Sequence, residues 1–408
     1  MKDKTIVRIY RNQAEAAVRV LENVLLDGGY ADREIERVLR SDRRRGASDR
    51  AFIASSVYGV VRYRRLYAYV NGWDDVQTPA QVWSLLGAHI LFSGGTLPPW
   101  DEFSRLDAGK LFARRQQAQS LRAVRESVPD WLDALGAAEL PGVWDAELSA
   151  MNTEAPVVLR ANTLKTSPQD LARRLQAEDG LSVRAVAGCP EGAELVRRAN
   201  VFATEAFRQG WFEVQDASSQ RVSRLLAPAP GMRVVDACAG AGGKSLHLAA
   251  LMQGRGTLVA MDVYAQKLEE LRRRARRAGA TNIETRLIEG SKTIKRLEAT
   301  ADRLLLDVPC SGLGTLRRNP DAKWKLSPDF LERVTALQAE ILDSYSRMLR
   351  PGGRMVYSTC SVLPRENDRQ VARFLQAHSD YRLLEQHSLL SSREGYDGFY
   401  MALLERIS

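Results

Sequence analysis

The second half of the chain alternates short apolar runs with amphipathic runs, and this alternation limits the possible folds more than any other feature of the sequence. After residue 210 strands are predicted in MRVVDA, GTLVAMDV, NIETRLIE, DRLLLDV and GRMVYSTC, and helices in GGKSLHLAALM and AQKLEELRRRARRAG. Alternating strands and helices predict a parallel, doubly wound α/β sheet. Because ligands of open α/β sheets bind at the carboxyl ends of the strands, the residues that follow each run are candidates for function.

The first part of the chain has almost no strand-like alternation. Residues 1–125 place apolar side chains such as Ile53, Val57 and Val60 at helical spacing and predict an all-helical domain. The pattern changes after VPDWLDAL, where a short strand, PVVLRAN, precedes the helix TSPQDLARRLQA. We therefore predict an all-helical domain over 1–125, a linker and small α+β segment over 126–204, and an α/β catalytic domain over 205–408.

The charge balance favours a polyanionic partner. The chain has 59 Lys and Arg residues against 50 Asp and Glu residues, a formal charge of +9, and basic proteins of this kind include many that bind nucleic acid. Two basic clusters, RVLRSDRRRGASDR and VRYRRLYAYV, lie in the predicted helical domain. Each is either a solvated helix face or a surface that contacts RNA.

Other features favour a cytoplasmic protein without a membrane segment. The N-terminus lacks the apolar core and cleavage site of a secretory signal, and no apolar run approaches the roughly 18 residues of a membrane span. The four cysteines are widely spaced and match neither a disulfide framework nor a zinc pattern. We expect a reducing compartment and no structural metal.

A glycine-rich turn in VVDACAGAGGKSLHLA follows a predicted strand and opens a helix. Gly240, Gly242 and Gly243 let the backbone approach a ligand closely, next to a helix N-terminus. A phosphate-binding loop would need glycine where Cys238 stands, which disfavours a kinase. Asp262 ends the next strand, about twenty residues later, where an acid bonds ribose hydroxyls. The pattern fits an adenosine-containing ligand and also a nicotinamide dinucleotide.

Two cysteines occupy similar positions at strand ends. Cys310, in DVPCSGLG, and Cys360, in YSTCSVLP, each follow a predicted parallel strand. Thiols at these ends can point into one crevice. By contrast, Cys189 and Cys238 are expected to be small packing residues, with the backbone of Cys238 near the ligand.

The order of several motifs resembles a known family. DACAGAGGK, VQDASS, DVPCSGLGTLRRNPDAKW, YSTCSVLPREND and DGFYMALL, across residues 205–408, resemble the motifs of RNA cytosine-5 methyltransferases of the Sun (Fmu) group. LRANTLKTSPQDLARRL resembles the family's small RNA-binding segment, and residues 1–125 more loosely resemble its NusB-like domain. The resemblance implies a Rossmann-like S-adenosylmethionine-dependent methyltransferase domain, preceded by a small α+β RNA-binding segment and an all-helical NusB-like domain.

The resemblance also implies a cofactor site for S-adenosylmethionine. Asp262 would bind the ribose, Glu289 would lie near the adenine, and Asp307 would complete the site. The glycine turn would supply the remaining contacts, from Cys238, Ala239, Gly240, Ala241, Gly242, Gly243 and Lys244. The chain departs from the family at Glu289, where the family often has aspartate, and in the turn, where the family has A-A-P-G-G-K.

The implied reaction matches the chemistry of cysteine. Carbon 5 of cytosine is a poor nucleophile toward a sulfonium methyl group, so a thiolate must first add to carbon 6, and cysteine can do this reversibly. By resemblance Cys360 is the nucleophile and Cys310 assists product release. Asp307 would interact with the N3 and amino edge of the base.

Further cations and an aromatic side chain are candidates for contacting RNA. They resemble the groups found around a nucleic-acid backbone and a base, although a buried Trp324 and solvated loop arginines are the alternative. The candidates are Arg317, Arg318, Lys323, Trp324, Arg160, Asn162 and Lys165.

The expected function is therefore methylation of carbon 5 of a cytosine in RNA. Small-subunit (16S-type) ribosomal RNA is the expected substrate, because a NusB-like domain accompanies that branch of the family, and transfer RNA is the alternative. A DNA cytosine-5 methyltransferase would need a sizeable target-recognition region after the last motif, and only residues 361–408 follow Cys360. A non-catalytic RNA-binding factor is disfavoured by the presence of both cysteines and the cofactor acids. We expect a monomer.

Overall fold

The computed structural model describes residues 9–42 and 44–408, and the chain divides into two compact units. The first unit comprises the residues up to Asn152 together with Leu316–Leu326, and the second comprises Thr153–Thr315 and Ser327–Ser408. Within the described residues, no helix is both long enough and apolar enough to cross a bilayer.

The first unit is helical, as predicted. Its core contains Ile53, Val57 and Val60, all fully buried, so the helical spacing of the apolar residues identified the buried face. The helices continue to Met151 and so extend beyond the predicted boundary at residue 125. They are α1 Arg11–Leu25, α2 Ala31–Ser41, α3 Ala47–Arg62, α4 Arg64–Asn71, α5 Pro79–Phe92, α6 Ala108–Gln117, α7 Arg122–Arg125, α8 Asp130–Glu139 and α9 Trp144–Met151.

The second unit begins with a small α+β part, again as predicted. Its four-stranded sheet has the order β2-β3-β1-β4 with antiparallel pairing. The helix starts where Ser167 caps it, since the Ser167 hydroxyl accepts from the Asp170 backbone N–H at 3.0 Å. The elements are β1 Val158–Ala161, α10 Pro168–Asp179, β2 Val183–Val186, β3 Cys189–Leu195, α11 Glu205–Arg208 and β4 Phe212–Val214.

The remainder of the second unit alternates strands and helices. In α14 the predicted stripe of Leu268, Leu271, Ala275 and Ala278 is buried. The arginines were predicted to face solvent, and Arg272, Arg273 and Arg276 do so, whereas Arg274 and Arg277 are partly buried and pair with Glu213. The elements are α12 Ala217–Leu226, β5 Arg233–Asp236, α13 Gly243–Leu251, β6 Thr257–Asp262, α14 Ala265–Ala278, β7 Ile283–Leu287, α15 Ser291–Lys295, β8 Ala301–Asp307, α16 Ala322–Lys325 (part of the first unit), α17 Pro328–Tyr345, β9 Leu349–Thr359, α18 Asp368–Ala377, β10 Tyr381–Leu389, α19 Ser391–Glu394 and β11 Phe399–Arg406.

These strands form one seven-stranded sheet of order β10-β11-β9-β8-β5-β6-β7. The predicted parallel arrangement is confirmed for β5 to β9, whereas β10 and β11 add an antiparallel edge. The chain extends the sheet from β5 through β6 and β7, and then returns to place β8 on the other side of β5. At such a switch point the loops diverge and leave a crevice at the carboxyl ends of the strands.

One short segment of the first unit is remote from the rest of that unit in sequence. Leu316–Leu326 lies between β8 and α17 along the chain, yet it packs with the helices of the first unit. The Trp324 indole is half-buried against their core and donates to the Val61 carbonyl at 2.9 Å. The Ala31 backbone N–H donates to the Asp321 carboxylate at 3.2 Å. The helical core is therefore completed by a piece of chain from beyond residue 300.

Candidate active site

Two cysteines lie side by side where two neighbouring strands end. Strands β8 and β9 run parallel with Asp307 opposite Ser358, so the chain leaves both strands at the same edge of the sheet. Cys310 and Cys360 lie in the loops that follow, and their Sγ atoms are 3.3 Å apart. The structure thus brings together the two thiols that the strand-end motifs placed in one crevice. At this distance both thiols can reach one bound molecule.

The two thiols share a hydrogen bond that affects protonation. The hydrogen bond with Cys360 and, after it, burial raise the pKa of Cys310 well above its ordinary value. Near neutral pH, Cys310 therefore keeps its proton. A protonated Cys310 can donate that proton toward the sulfur of Cys360.

Asp307 ends β8 and is held by two side chains. The Lys244 ammonium donates to Oδ2 at 2.6 Å, and the Ser358 hydroxyl donates to Oδ1 at 2.8 Å. Lys244 comes from the first turn of α13, and Ser358 comes from the neighbouring strand. Each carboxylate oxygen is thereby fixed in direction at the mouth of the crevice. Ser358 was not among the residues predicted for the site.

Asp262 ends β6 and binds the glycine turn. Its Oδ2 accepts from the Gly240 N–H at 2.8 Å and its Oδ1 from the Tyr264 N–H at 2.9 Å. Gly242 has a φ of +86°, and a Cβ added there would lie 2.5 Å from Leu271 Cγ. Glycine is thus required at 242 both by backbone conformation and by packing. The acid and the turn form one rigid element.

A cavity of about 540 Å³ opens at the carboxyl ends of β5, β6 and β8. Its volume falls within the range of small-molecule sites. The predicted residues Cys238, Gly240, Asp262 and Asp307 line it. Its other walls come from residues that were not predicted, namely Ala237, Val263, Tyr264, Lys267, Ile288, Val308, Pro309, Leu337, Glu340, Ile341, Ser344 and Tyr345.

The other predicted cofactor residues have different positions. Ala239, Gly243 and Lys244 line a smaller cavity of about 140 Å³, which shares Cys238 and Asp307 with the larger one. Within the turn, Gly242 packs on α14, and the Ala241 carbonyl accepts from Arg274 at 2.9 Å.

Glu289 does not line either cavity. Its side chain is exposed, and the preceding residue, Ile288, forms part of the wall of the larger cavity. The contact between Glu289 and the adenine stays a prediction, and its neighbour Ile288 is the residue that lines the cavity.

Asp236 is a buried acid that sequence reasoning did not single out. It ends β5, lines the smaller cavity and accepts from the Ser245 hydroxyl at 2.6 Å. Burial raises its pKa to about 7. Its Oδ1 has no hydrogen-bond partner within the described residues. The available signal was its position as the acid at the end of the first strand of the sheet.

Glu366 is a second residue that sequence reasoning missed. Its buried carboxylate accepts from the Ser311 backbone N–H and from the hydroxyls of Ser311 and Ser361. These serines directly follow the two cysteines. The signal available in the sequence was the repeated pattern CSGL and CSVL.

The predicted RNA contacts of Lys323 and Trp324 are corrected, because both side chains pack within the helical first unit. Lys323 is only 1 % exposed, and its ammonium donates to the Arg62 carbonyl at 2.8 Å. Burial lowers its pKa to about 7. A buried amine bonded to carbonyl groups is not presented to an RNA phosphate, and Trp324 is packed as the alternative interpretation expected.

Arg317 and Arg318 lie in the same segment and are partly buried. Both have interaction partners in the protein, and the Arg317 carbonyl accepts from Arg62 at 2.7 Å. Their contact with RNA stays a prediction.

The basic clusters of the first unit differ in exposure. Arg43, predicted within the first cluster, lies outside the described residues, and its neighbour Arg44 has a side chain that is 92 % exposed. In the second cluster, Arg64 bonds Asp75, and Arg65 bonds the Val128 carbonyl. The second cluster is thus largely engaged within its own unit, while Arg44 remains accessible to a polyanion.

Three residues predicted to bind RNA instead connect parts of the second unit. Arg160, 2 % exposed, donates to the Gly243 carbonyl at 2.7 Å. Asn162, also buried, donates to the Ala278 carbonyl at 2.8 Å. The Lys165 ammonium donates to the carbonyls of Gln209 and Arg277 at 2.8 and 2.7 Å.

The RNA-contact assignments of Arg160 and Asn162 are therefore corrected. Their polar groups are directed at backbone carbonyls of the glycine turn and of α14, and burial keeps them away from solvent. Lys165 is exposed overall, but its ammonium binds carbonyls at the carboxyl end of α14, where cations are favoured.

Two family models match parts of the chain. Residues 223–405 match the model described as 16S rRNA methyltransferase RsmB/F. Residues 128–202 match the ferredoxin-like domain of RsmF/B-like methyltransferases.

Individual proteins show the same likeness. The chain is 40% identical to a probable ribosomal RNA small subunit methyltransferase B of Synechocystis sp., over 63% of this chain and 58% of that protein. It is 34% identical to ribosomal RNA small subunit methyltransferase B of Pseudomonas putida, over 70% of this chain and 68% of the relative. A crystal structure of a methyltransferase homologue from Pyrococcus horikoshii is 28% identical and superimposes with a TM-score of 0.63, over 70% of this chain and 98% of that one.

The sheet, its cavity and the glycine turn, together with these matches, define a methyltransferase that uses S-adenosylmethionine. The resemblance noted from the motifs is thereby confirmed. The chain belongs to the RsmB/F family of 16S rRNA methyltransferases.

Proposed function

We propose that the protein transfers the methyl group of S-adenosylmethionine to carbon 5 of a cytosine in RNA, through a covalent bond between a cysteine and carbon 6. The observation that carries the proposal is the pair of thiols 3.3 Å apart in the loops that follow β8, which ends in Asp307, and β9. Carbon 5 reacts with a sulfonium methyl group only after electron density has been pushed onto it. A thiolate that adds to carbon 6 supplies that density and can leave again.

In this proposal Cys360 is the nucleophile and Cys310 assists release. Because its pKa is raised, Cys310 keeps its proton and does not compete for carbon 6 near neutral pH. The Cys360 thiolate forms the bond to carbon 6, and carbon 5 then takes the methyl group. A base removes the proton from carbon 5, and the sulfur–carbon bond breaks with its electron pair returning to the Cys360 sulfur, which restores the aromatic ring. Cys310 lies against the sulfur that must leave.

Asp307 orients the base in the same proposal. Lys244 and Ser358 fix its two oxygens, so its remaining lone pairs have defined directions. A carboxylate can accept a hydrogen bond from the cytosine amino group and so hold the ring in one orientation. Preorganised groups of this kind lower the barrier without reorganising during the reaction.

The residues around the two cavities fit the cofactor. In this proposal Asp262 binds the ribose hydroxyls, and the apolar wall that includes Ile288 and Ile341 suits an adenine ring. Asp236 lines the smaller cavity, and its Oδ1 has no hydrogen-bond partner within the described residues, so its carboxylate matches the ammonium of an amino-acid moiety. When bound, S-adenosylmethionine supplies an electrophilic methyl group.

Small-subunit ribosomal RNA is the substrate that the relatives' names favour. The formal charge of +9 suits a polyanionic substrate. We place the reaction in the cytoplasm and propose that the protein acts as a monomer. Transfer RNA and DNA remain alternative substrates. The alternative to an enzymatic function is a non-catalytic RNA-binding role.

The test is methyl transfer by the purified protein. Protein would be incubated with S-adenosylmethionine labelled in its methyl group and, separately, with small-subunit ribosomal RNA, transfer RNA and double-stranded DNA. Label in ribosomal RNA, located at a cytosine by bisulfite sequencing, supports the proposal. Label in transfer RNA or DNA alone would reassign the substrate, and the absence of transfer to any of them would favour the binding role.

A further inference from the structure

A single buried carboxylate joins the two cysteine loops. Glu366 ends a 3-10 turn, Pro364–Glu366, and its side chain is fully buried. Its Oε1 accepts from the Ser311 backbone N–H at 2.7 Å, and its Oε2 accepts from the Ser311 hydroxyl at 2.5 Å and from the Ser361 hydroxyl. One carboxylate is therefore bonded to the residue that follows each thiol.

The two loops have the same local form. In CSGL (residues 310–313) and CSVL (residues 360–363), the serine hydroxyl accepts from the N–H of the leucine two positions later. The distances are 3.4 Å for Leu313 to Ser311 and 3.2 Å for Leu363 to Ser361. The two hydroxyl oxygens lie 3.1 Å apart. Glu366 thus fixes two equivalent turns, each of which carries a thiol at its first position.

A helix residue supports this arrangement. Gln338, on α17, is fully buried, and its side-chain amide donates to Glu366 Oε1 at 3.0 Å and to the Pro309 carbonyl at 2.9 Å. The carboxylate and the residue before Cys310 are therefore held by one amide. This contact fixes the Cys310 loop from both sides of the cysteine.

The chemistry of the contacts favours a carboxylate. The backbone N–H of Ser311, two serine hydroxyls and the amide of Gln338 all donate to Glu366. A carboxylate accepts at both oxygens, whereas a carboxamide has one acceptor oxygen and one donor NH₂ group. Glutamine at 366 has nearly the same shape as glutamate, but its NH₂ group would face the two serine hydroxyls, which would have to turn from donors into acceptors and lose their charge-assisted bonds to the carboxylate.

We propose that Glu366 is a positioning residue that sets the distance between the thiols of Cys310 and Cys360, and thereby the transition from adduct formation to product release. The geometric part of this proposal, the distance between the thiols, concerns the free protein. The kinetic part, the transition from adduct formation to product release, rests on the proposed function. Glu366 acts through the serines and does not itself touch the substrate.

The geometric part is tested with dibromobimane, a reagent that becomes strongly fluorescent when it bridges two nearby thiols. Parent protein and Glu366→Gln would be compared without RNA or cofactor, and peptide mass mapping would assign the bridge to Cys310 and Cys360. Slower bridging in Glu366→Gln, with single-thiol alkylation by monobromobimane undiminished, is expected. Equal bridging rates in the two proteins would overturn the proposal.

The matched control is Tyr357→Phe. The Tyr357 hydroxyl donates to the backbone carbonyl of Glu366 at 2.7 Å, so this variant loses a buried hydrogen bond to the same residue and keeps the carboxylate network. It should bridge at the parent rate. Ser311→Ala and Ser361→Ala each remove one hydroxyl from Glu366 and serve if Glu366→Gln does not fold. Both should bridge more slowly, and parent-like bridging in both would also overturn the proposal.

The kinetic part is tested on the same variants. A displacement of the thiols on the scale of 1 Å should lower kcat for methyl transfer about 10²-fold in Glu366→Gln, with KM values near those of the parent. Covalent RNA should persist on denaturing gels, and Glu366→Asp should restore part of the activity. If the parent does not methylate RNA but bridging still slows, only the proposed function fails. If the parent is active and the Gln variant bridges normally, only the role of Glu366 fails.

Discussion

The Lys244 ammonium lies 2.6 Å from Asp307 Oδ2, which ties the first turn of α13 to the carboxyl end of β8. Lys244 belongs to the glycine-turn motif, and Asp307 belongs to the proline–cysteine motif. The same ammonium lies 5.1 Å from the ring centre of Phe399, in the DGFYMALL motif. Three motifs that are far apart in the sequence therefore meet at one cation.

Lys244→Met should lower kcat for methyl transfer, because Asp307 would lose the partner of one oxygen and its preorganised direction. Loss of one such electrostatic group typically costs on the order of 10²-fold in kcat. Steady-state methyl transfer to RNA measures the effect. Lys292→Met, at an exposed lysine of α15, is the control and should match the parent. Unchanged kcat in Lys244→Met would remove the ion pair from the mechanism.

Asp262→Asn should weaken cofactor binding and leave RNA binding near the parent value. Asp262 accepts from the Gly240 N–H of the glycine turn and from the Tyr264 N–H that follows β6, and asparagine offers one acceptor oxygen in place of two. Titration calorimetry with the demethylated cofactor product measures the affinity. RNA affinity, measured by filter binding, is the internal control. Equal cofactor affinity in variant and parent would exclude Asp262 from the site.

The two cysteines should give opposite results on a denaturing gel. Cys360→Ala should abolish methylation and form no covalent RNA complex, because carbon 6 is never attacked. Cys310→Ala should still transfer the methyl group but remain attached to its RNA, giving a slow band. An adduct in Cys360→Ala and none in Cys310→Ala would reverse the roles.

The buried Asp236 should make stability depend on pH. Its pKa in the folded protein is about 7, against an ordinary value of 3.8. The folded state holds a proton that the unfolded chain releases, so this stabilising contribution is present below pH 3.8 and is lost as pH rises through about 7. Urea unfolding of parent and Asp236→Asn across this range should show a steeper loss of unfolding free energy in the parent. Parallel curves would contradict the assignment.

The same acid should link cofactor binding to proton release. A cationic amino-acid moiety beside Asp236 favours its ionised form, so affinity for the demethylated cofactor product should increase as pH rises from about 6 to about 8. Calorimetry in two buffers of different ionisation enthalpy measures the released proton. Asp236→Asn should show neither the pH dependence nor that proton.

Lys323→Met should destabilise the first unit without changing RNA affinity. The Lys323 ammonium donates to the Arg62 carbonyl and lies 3.4 Å from the Asn152 side-chain oxygen. Leaving buried acceptors unsatisfied costs roughly 1–3 kcal/mol each. Thermal unfolding monitors the loss, and RNA titration serves as the second readout. A large loss of RNA affinity at unchanged stability would return Lys323 to the RNA-binding surface.

The local sequence pattern was sufficient to predict the strands and the residues at their carboxyl ends. Apolar runs that end in an acid or a cysteine predicted that Asp262, Asp307, Cys310 and Cys360 would lie along one edge of a sheet, because parallel strands present their carboxyl ends together. The spacing of apolar residues likewise identified the buried face of α14. In each case the information lay within about ten residues of the element concerned.

The surroundings of the cations could not be predicted in this way. Arg160 and Lys323 occur in sequence contexts typical of RNA-contacting residues, but each meets backbone carbonyls supplied by distant parts of the chain. Long cationic side chains cover apolar surface with their stems, so the same residue type suits a buried position and a solvated one. Glu366 was missed for a related reason, since its partners lie in loops without periodicity.

Because Leu316–Leu326 belongs to the helical unit, the chain cannot be cut into its two units at a single position. A polypeptide that ends at Asn152 would lack the segment that places Trp324 and Lys323 among its helices. A polypeptide that begins at Thr153 would retain that segment without the helices that bury it. The helical unit therefore cannot be exchanged or deleted as a simple N-terminal module. Natural variants with changes in this unit should also carry matching changes in Leu316–Leu326.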